Sequence, residues 1–122
     1  MKAYEFPVEM AKVQRPRRRA DVRGPVIPQV RRALVLAYQI EALIREGKVP
    51  NHATAARWLG ISRGRVAQVC ALLLLAPEIQ EAVLTAPPER LAPVAEGDLR
   101  GIALLPEWVE QRVRWTGIWS SG

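Results

Sequence analysis

Apolar side chains recur every three or four residues from residue 29 onward, a spacing typical of amphipathic helices. The first predicted helix covers residues 29–47, because Gly47 is suited to end a helix and Pro50 prevents its return. Before residue 29 this spacing is absent. There the alternation in "YEFPVEM", residues 4–10, predicts a short strand, and Pro7 would confine that strand to the edge of a sheet.

Two short helices are predicted between residues 52 and 75, on either side of Gly60. Asn51 and Ser62 are suited to cap them, because each side chain can accept a hydrogen bond from the first turn of the helix that follows. The second of these helices is expected to continue through "RGRVAQVCALLLL" until Pro77 ends it. Further helices are predicted at residues 77–84 and, as a pair, within residues 97–119. The segment "APPERLAP" is predicted to be a loop.

The residues around Gly60 match a helix-turn-helix, in which two short helices are joined by a tight turn. Glycine supplies the positive φ that such a turn needs without steric cost. A small residue four positions earlier lets the helices cross closely, and apolar residues hold the second helix at its angle. The residues expected to form this motif core are Ala56, Gly60, Ile61, Val66 and Val69, with Leu59 in support.

Charge is distributed unevenly along the chain. Eighteen Lys and Arg residues against twelve Asp and Glu residues give a net charge of +6 and a pI near 10.4, values that favour a polyanionic partner. Residues 51–75 contain three arginines and no acid, whereas residues 76–122 contain four basic and seven acidic residues. The positive field is therefore expected on the first two-thirds of the chain.

The outward side of the second motif helix carries the side chains expected to contact DNA. In a helix-turn-helix, the first residues of this helix meet base edges in the major groove and the first helix crosses the backbone. Arginine can donate two hydrogen bonds to guanine, glutamine can contact adenine, and small residues let the helix sit deep. The predicted base-contacting residues are Ser62, Arg63, Gly64, Arg65 and Gln68; the predicted phosphate-contacting residues are His52, Arg57, Arg17, Arg18, Arg19 and Arg23.

The phrase "ATAARWLGISRGRVAQVCALLLLAPEIQEAVL" resembles the helix-turn-helix core of the ParB/KorB-type DNA-binding family over residues 51–84. The chain is also similar to small helix-turn-helix proteins of phage and mobile elements, which end in a phrase comparable to "LLPEWVEQRVRW". The resemblance implies that Arg63, Arg65 and Gln68 face DNA and that residues 72–75 belong to the core. No nucleotide-binding domain of the ParB type is recognised, so CTP binding and partition clamping are not expected.

These observations predict an all-α fold: a helix-turn-helix at residues 52–75 within a small helical domain at residues 29–122, preceded by an extended basic arm at residues 1–28. The expected function is sequence-specific binding of double-stranded DNA, as a transcriptional regulator or accessory factor of a phage or mobile element. The arm has two interpretations, a solubilising tail or a segment that follows phosphates or enters the minor groove.

Several other side chains have a structural interpretation at this stage. Arg31 and Arg32 are expected on a solvated helix face, and Glu78, Glu81, Glu96 and Asp98 are expected to complement helix N-termini. Cys70 is expected in the core. Trp108 and Trp115 lie seven residues apart, as core or dimer anchors on one helix face would, and Trp119, if exposed, would indicate a partner surface.

The sequence does not indicate an enzyme. Its single His and single Cys provide no catalytic grouping and no metal site, and no glycine-rich phosphate loop is present, so no cofactor is expected. No signal peptide and no membrane span are predicted, which favours a cytoplasmic, nucleoid-associated protein. Alternatives stay open: a protein-interaction or assembly module that uses the Trp-rich C-terminal segment, or the DNA-binding subunit of a recombination or partition complex. A symmetric homodimer is also left open.

Overall fold

The computed structural model describes residues 27–119, and every regular element in that range is helical. The all-α prediction is confirmed for these residues. The predicted arm lies outside them except for its last two positions, as do the strand predicted at residues 4–10 and Arg17, Arg18, Arg19 and Arg23. The elements in chain order are α1 (Gln29–Arg45), α2 (His52–Leu59), α3 (Arg63–Cys70), a 3₁₀ turn (Ala71–Leu74), α4 (Pro77–Thr85), α5 (Pro88–Leu91), α6 (Glu96–Ala103) and α7 (Trp108–Trp119).

Helices α1 and α2 end in the same way, at a glycine in the left-handed region. Gly47 has φ 76° and Gly60 has φ 74°. After each glycine, a backbone N–H turns back to a carbonyl five residues earlier, from Lys48 to Leu43 at 2.9 Å and from Ile61 to Ala56 at 3.0 Å. This is the Schellman arrangement, which satisfies the last carbonyls of a helix. Both predicted helix ends are confirmed.

The helix predicted to run from residue 63 to Pro77 is interrupted. It is α-helical only as far as Cys70 and continues as the 3₁₀ turn, after which Leu75 and Ala76 are extended. Pro77 accounts for the extended residue before it, because its ring excludes the α conformation there, and it also lacks a backbone N–H. The carbonyls released by this break are satisfied by side-chain amides: Gln80 donates to the carbonyls of residues 73 and 75, and Gln111 donates to that of residue 74.

Helix α1 lies at the centre of the core and contacts α2, α3, the 3₁₀ turn, α4 and α6. The apolar side chains along one side of α1 are buried against these elements, as is typical of an amphipathic helix in a core. The 3₁₀ turn contributes Leu72, and Leu75 follows it into the core. Leu74, expected in the core with its neighbours, is instead 59% exposed, because it follows the exposed Ala67 by seven residues, or about two helical turns, and shares its outward side.

Arg31 does not lie on a solvated helix face, although the sequence had led us to expect it there. Its Nε donates to the carbonyl of Val83 at 2.9 Å, and its Nη2 donates to the carbonyl of Ala86. Both carbonyls belong to the C-terminal end of α4, where a positive charge also complements the helix dipole. Arg31 therefore fastens α1 to the end of α4, while Arg32 beside it is exposed as expected.

The C-terminal helix α7 is attached through Gln111 and Trp115. Buried Gln111 accepts a hydrogen bond from the Ala76 N–H at 2.7 Å and donates to the Leu105 carbonyl at 3.0 Å, as well as to the 3₁₀ turn. Trp119 stacks on Trp115 with ring centroids 4.9 Å apart, and the guanidinium of Arg90 lies 4.1 Å from the Trp119 ring.

The tryptophans are covered to different extents. Trp119 is only partly exposed, because its ring is covered by Trp115 and Arg90. Trp115 is buried whereas Trp108 is 51% exposed, so the two do not anchor α7 on a common buried face. Arg90 belongs to α5, a short helix within the segment predicted to be a loop, and its position there gives Trp119 a partner.

Within residues 27–119, no helix taken singly has the length and apolar character needed to cross a membrane. Two consecutive segments, Arg63–Leu74 and Pro77–Thr85, reach that length and composition only when joined, and they bend by 114° at Pro77. Their apolar side chains at Val66, Val69, Leu72, Leu75, Ile79 and Val83 are buried in the core.

Candidate functional site

Helices α2 and α3, with the turn between them, form a compact two-helix unit. Asn51 caps α2 by accepting from the Thr54 N–H at 2.9 Å, and Ser62 caps α3 by accepting from the Arg65 N–H at 3.0 Å. Both predicted caps are confirmed. Only Gly60, Ile61 and the cap Ser62 separate the helices, so the course of α3 is tied closely to the end of α2.

The inner side of the unit is apolar, as predicted for its core. Ala56 is buried on α2, and Val66 and Val69 of α3 are 1% and 0% exposed. Ile61 is partly buried and packs against the same core. Because these side chains are anchored against α1, the opposite side of α3 is held outward.

The outward side of α3 is polar, basic and built from small residues. Arg63, Gly64, Ala67 and Gln68 are exposed, and so is Ser62 at the helix start. Among residues 27–119, Arg63 forms no ion pair. A long cationic side chain thus stands at the N-terminal end of α3, where the free N–H groups of the first turn also attract anions.

Gly64 is not required by the packing of this chain. A Cβ built at residue 64 would meet only the Ser62 Oγ, at 3.9 Å, which is ordinary contact. The backbone there is helical without a positive φ, so alanine would be the better helix former. A glycine on an exposed helix surface, with neither conformational nor packing cause, is what close approach by another molecule would require.

Arg65 does not stand free beside Arg63 as the sequence predicted. Its guanidinium forms a two-pronged ion pair with Glu96 of α6, with Nη1 to Oε2 at 2.6 Å and Nη2 to Oε1 at 3.0 Å. Its Nη1 also donates to Gln68 Oε1 at 3.1 Å. About a third of the Arg65 side chain stays exposed. Arg65 is therefore drawn toward the body of the domain, because an acid lies within reach of it.

Glu96 lies in the first turn of α6, as expected for an acid that complements a helix N-terminus, and it is also the centre of a polar cluster. Besides Arg65, it accepts from Arg100 Nη1 at 2.6 Å and from Gln29 Nε2 at 2.7 Å, which joins α1, α3 and α6. Its side chain is 10% exposed. Burial raises the pKa of Glu96, but hydrogen bonds from Arg65 and Gln29 and the charges of Arg65 and Arg100 outweigh burial and hold its pKa below the ordinary value.

Helix α2 has exposed residues of its own. His52 lies in its first turn, and Arg57 and Trp58 lie near its end, all exposed. The sequence from residue 47 to residue 77 contains no Asp or Glu. The exposed cations of α2 and α3 consequently have no acidic neighbour on their own helices, and Arg57 forms no ion pair within residues 27–119.

The described residues contain no group of three or more His, Cys, Asp or Glu side chains that could hold a metal ion. Cys70 is partly buried and packs against the core. Burial, and to a lesser extent the charge of Glu41, raises the pKa of its thiol to about 11. The Cys70 thiol is therefore protonated at neutral pH, when its nucleophilicity is low.

The sequence missed Glu96 as a partner of the predicted base-contacting residues. Arg65 and Glu96 are 31 residues apart and belong to different predicted helices, so no spacing along the chain connects them. The one available signal was the position of an acid at the start of a helix, and that signal has the ordinary explanation of dipole complementation. No protein-family model, curated protein or solved structure matches this chain, and the resemblance of residues 51–84 to the ParB/KorB-type core stays a prediction.

Proposed function

We propose that α2 and α3 form a helix-turn-helix that binds double-stranded DNA in a sequence-dependent manner, with α3 in the major groove. The observation that carries this proposal is the two-sided character of α3. Its inner side is anchored by Val66 and Val69, and its outer side exposes Arg63, Gly64, Ala67 and Gln68. The exposed basic surface has no acid on its own helices and fits a polyanion.

Arg63 is the residue best placed to contact a base. It is exposed at the first position of α3 and unpaired among the described residues, and the first residues of the second helix are those that meet base edges in this motif. Its guanidinium could donate two hydrogen bonds to the O6 and N7 atoms of guanine. Gln68, one turn later, would lie over the neighbouring bases, and its Oε1 already accepts from Arg65.

Phosphate contacts belong to the rim of this surface. His52 and Arg57 of α2 are exposed beside α3, and Arg65 could exchange Glu96 for a phosphate oxygen. Arg17, Arg18, Arg19 and Arg23 of the predicted arm would add sequence-independent contacts. The function that fits is transcriptional regulation, or an accessory role in recombination or partition.

The test is duplex binding by matched arginine variants. Selection from a random duplex library with the purified chain would supply a preferred sequence, and fluorescence anisotropy would compare that duplex with a scrambled one. Arg63→Ala should lose about 1–3 kcal/mol of binding free energy on the selected duplex and much less on the scrambled one. Arg45→Ala removes the same charge at an exposed position of α1 and should change both affinities little and equally.

Two results would contradict the proposal. Equal losses on both duplexes for Arg63→Ala would remove its role in base contact. Failure of the wild-type chain to bind any duplex at low salt would remove the function itself.

A further inference from the structure

Helix α7 presents an unpartnered apolar stripe to solvent. Its inner side, with Gln111, Trp115, Ile118 and Trp119, packs on the domain. On the opposite side, Val109 is 61% exposed and Val113 is 67% exposed, and the two are one helical turn apart. Because both side chains are exposed, neither stabilises the fold of a single chain by burial.

Exposed apolar side chains occur in succession on this helix. Three of the seven large ones in residues 27–119 are Trp108, Val109 and Val113, and a fourth, Leu104, lies four residues before Trp108 in the sequence. Exposed apolar side chains gathered in one place, rather than scattered singly, are typical of interaction surfaces.

On one flank of the stripe, the charges are complementary to a reversed copy of themselves. Glu110 and Arg114 lie on one flank, four residues apart and both exposed, and no ion pair joins them. Arg112 lies on the other flank and is already paired with Glu78 at 3.0 Å. When two identical helices pair antiparallel about a two-fold axis, each flank meets the same flank of the other helix in reverse order. Glu110 of each helix then meets Arg114 of the other.

We propose that this chain forms a two-fold symmetric dimer in which α7 pairs antiparallel with α7 of a second copy. Val109 and Val113 are buried between the helices, and Glu110 of each copy pairs with Arg114 of the other. The observations that carry this proposal all lie on α7, so it does not depend on DNA binding.

Sedimentation equilibrium of the full chain, without DNA, tests the proposal through a charge exchange. The wild type should be dimeric at micromolar concentration, and Val113→Glu should weaken the dimer about tenfold or more by placing like charges in the interface.

The charge exchange uses two single variants and their combination. Glu110→Arg and Arg114→Glu should each weaken the dimer, because each places like charges opposite one another. The double variant Glu110→Arg with Arg114→Glu should restore dimerisation. Glu81→Arg, the same charge change at an exposed position of α4, should leave the dimer unchanged.

The double variant keeps the test decisive even where a single variant folds poorly, since far-ultraviolet circular dichroism reports helix content for each protein. A wild-type chain that is monomeric up to about 100 μM would overturn the proposal. A dimer that the double variant fails to restore, while its helix content is unchanged, would overturn it as well.

Discussion

At the scale of single residues, a substitution at Gly64 can separate the effect of this residue on folding from its effect on binding. Alanine at residue 64 is compatible with both the backbone and the space around it. The substitution should therefore raise the free energy of unfolding by as much as about 1 kcal/mol, because glycine is the poorer helix former.

We expect Gly64→Ala to weaken binding to duplex DNA about tenfold, since the added methyl group stands where α3 would lie closest to the groove. Anisotropy titration and urea unfolding on the same samples would measure both effects. Gly101→Ala is the matched control: at this exposed glycine of α6, a built Cβ has nothing within 4 Å. That variant should gain stability with no change in DNA binding. Unchanged DNA binding by Gly64→Ala would argue that α3 is not the contacting helix.

At the scale of secondary-structure elements, Glu96 holds α3 to α6 and α1. Glu96→Gln should lower the free energy of unfolding at pH 7 by about 1–2 kcal/mol, a figure reduced because Arg65 and Arg100 are each about a third exposed. Since the folded-state pKa of Glu96 is depressed, its stabilisation is present above its ordinary pKa of about 4.5 and is lost as pH falls through the lower folded-state value. The difference between wild type and variant should therefore vanish in acid, as urea unfolding at a series of pH values would show.

The same substitution should strengthen DNA binding, because it removes a negative charge beside α3 and releases Arg65. In a plot of the logarithm of the association constant against the logarithm of the salt concentration, the slope should become steeper by about 0.9, as expected for one additional phosphate contact. A variant that is less stable yet binds DNA more tightly cannot be explained by damage to the fold. Weaker binding by Glu96→Gln, with its helix content intact, would mean that Glu96 orients Arg65 for contact instead of withholding it.

The elements also show what a sequence can predict and what it cannot. The caps Asn51 and Ser62 and the terminating glycines Gly47 and Gly60 were predictable, because each acts on the backbone of its own turn. The Val66 and Val69 side of α3 followed from helical spacing. The break after Cys70 did not, because the 3₁₀ turn depends on side-chain amides of Gln80 and Gln111 that arrive from other helices.

The outward side of α3 was predicted only in part, because one of its side chains interacts with a residue from a distant part of the sequence. Composition and spacing placed Arg63, Gly64 and Gln68 on it correctly, since burial of the opposite side decides their orientation. They also placed Arg65 there, but the direction of a long side chain depends on which charges surround it in space. The acid that pairs with Arg65 is contributed by α6. In the same way, Arg31 is oriented by hydrogen bonds to carbonyls at the end of α4.

At the scale of the whole molecule, charge and exposed apolar side chains are distributed unevenly along the chain. Residues 51–75 carry three arginines without an acid, whereas residues 76–122 have a surplus of three acids. Trp108, Val109 and Val113, three of the seven large exposed apolar side chains in residues 27–119, lie on α7 in this acidic part of the chain. The proposed dimer through α7 would join two copies of the proposed DNA-binding unit, as a palindromic site would require.

The most direct test of the central claim is amide chemical-shift mapping of the isotope-labelled chain during titration with duplex DNA at low salt. The proposed function predicts that, among the described residues, the largest changes fall on Ser62, Arg63, Gly64 and Gln68, with smaller ones at His52 and Arg57, and that they fade as salt is added. Changes centred on α7, or none at α3 while the duplex is bound, would contradict it.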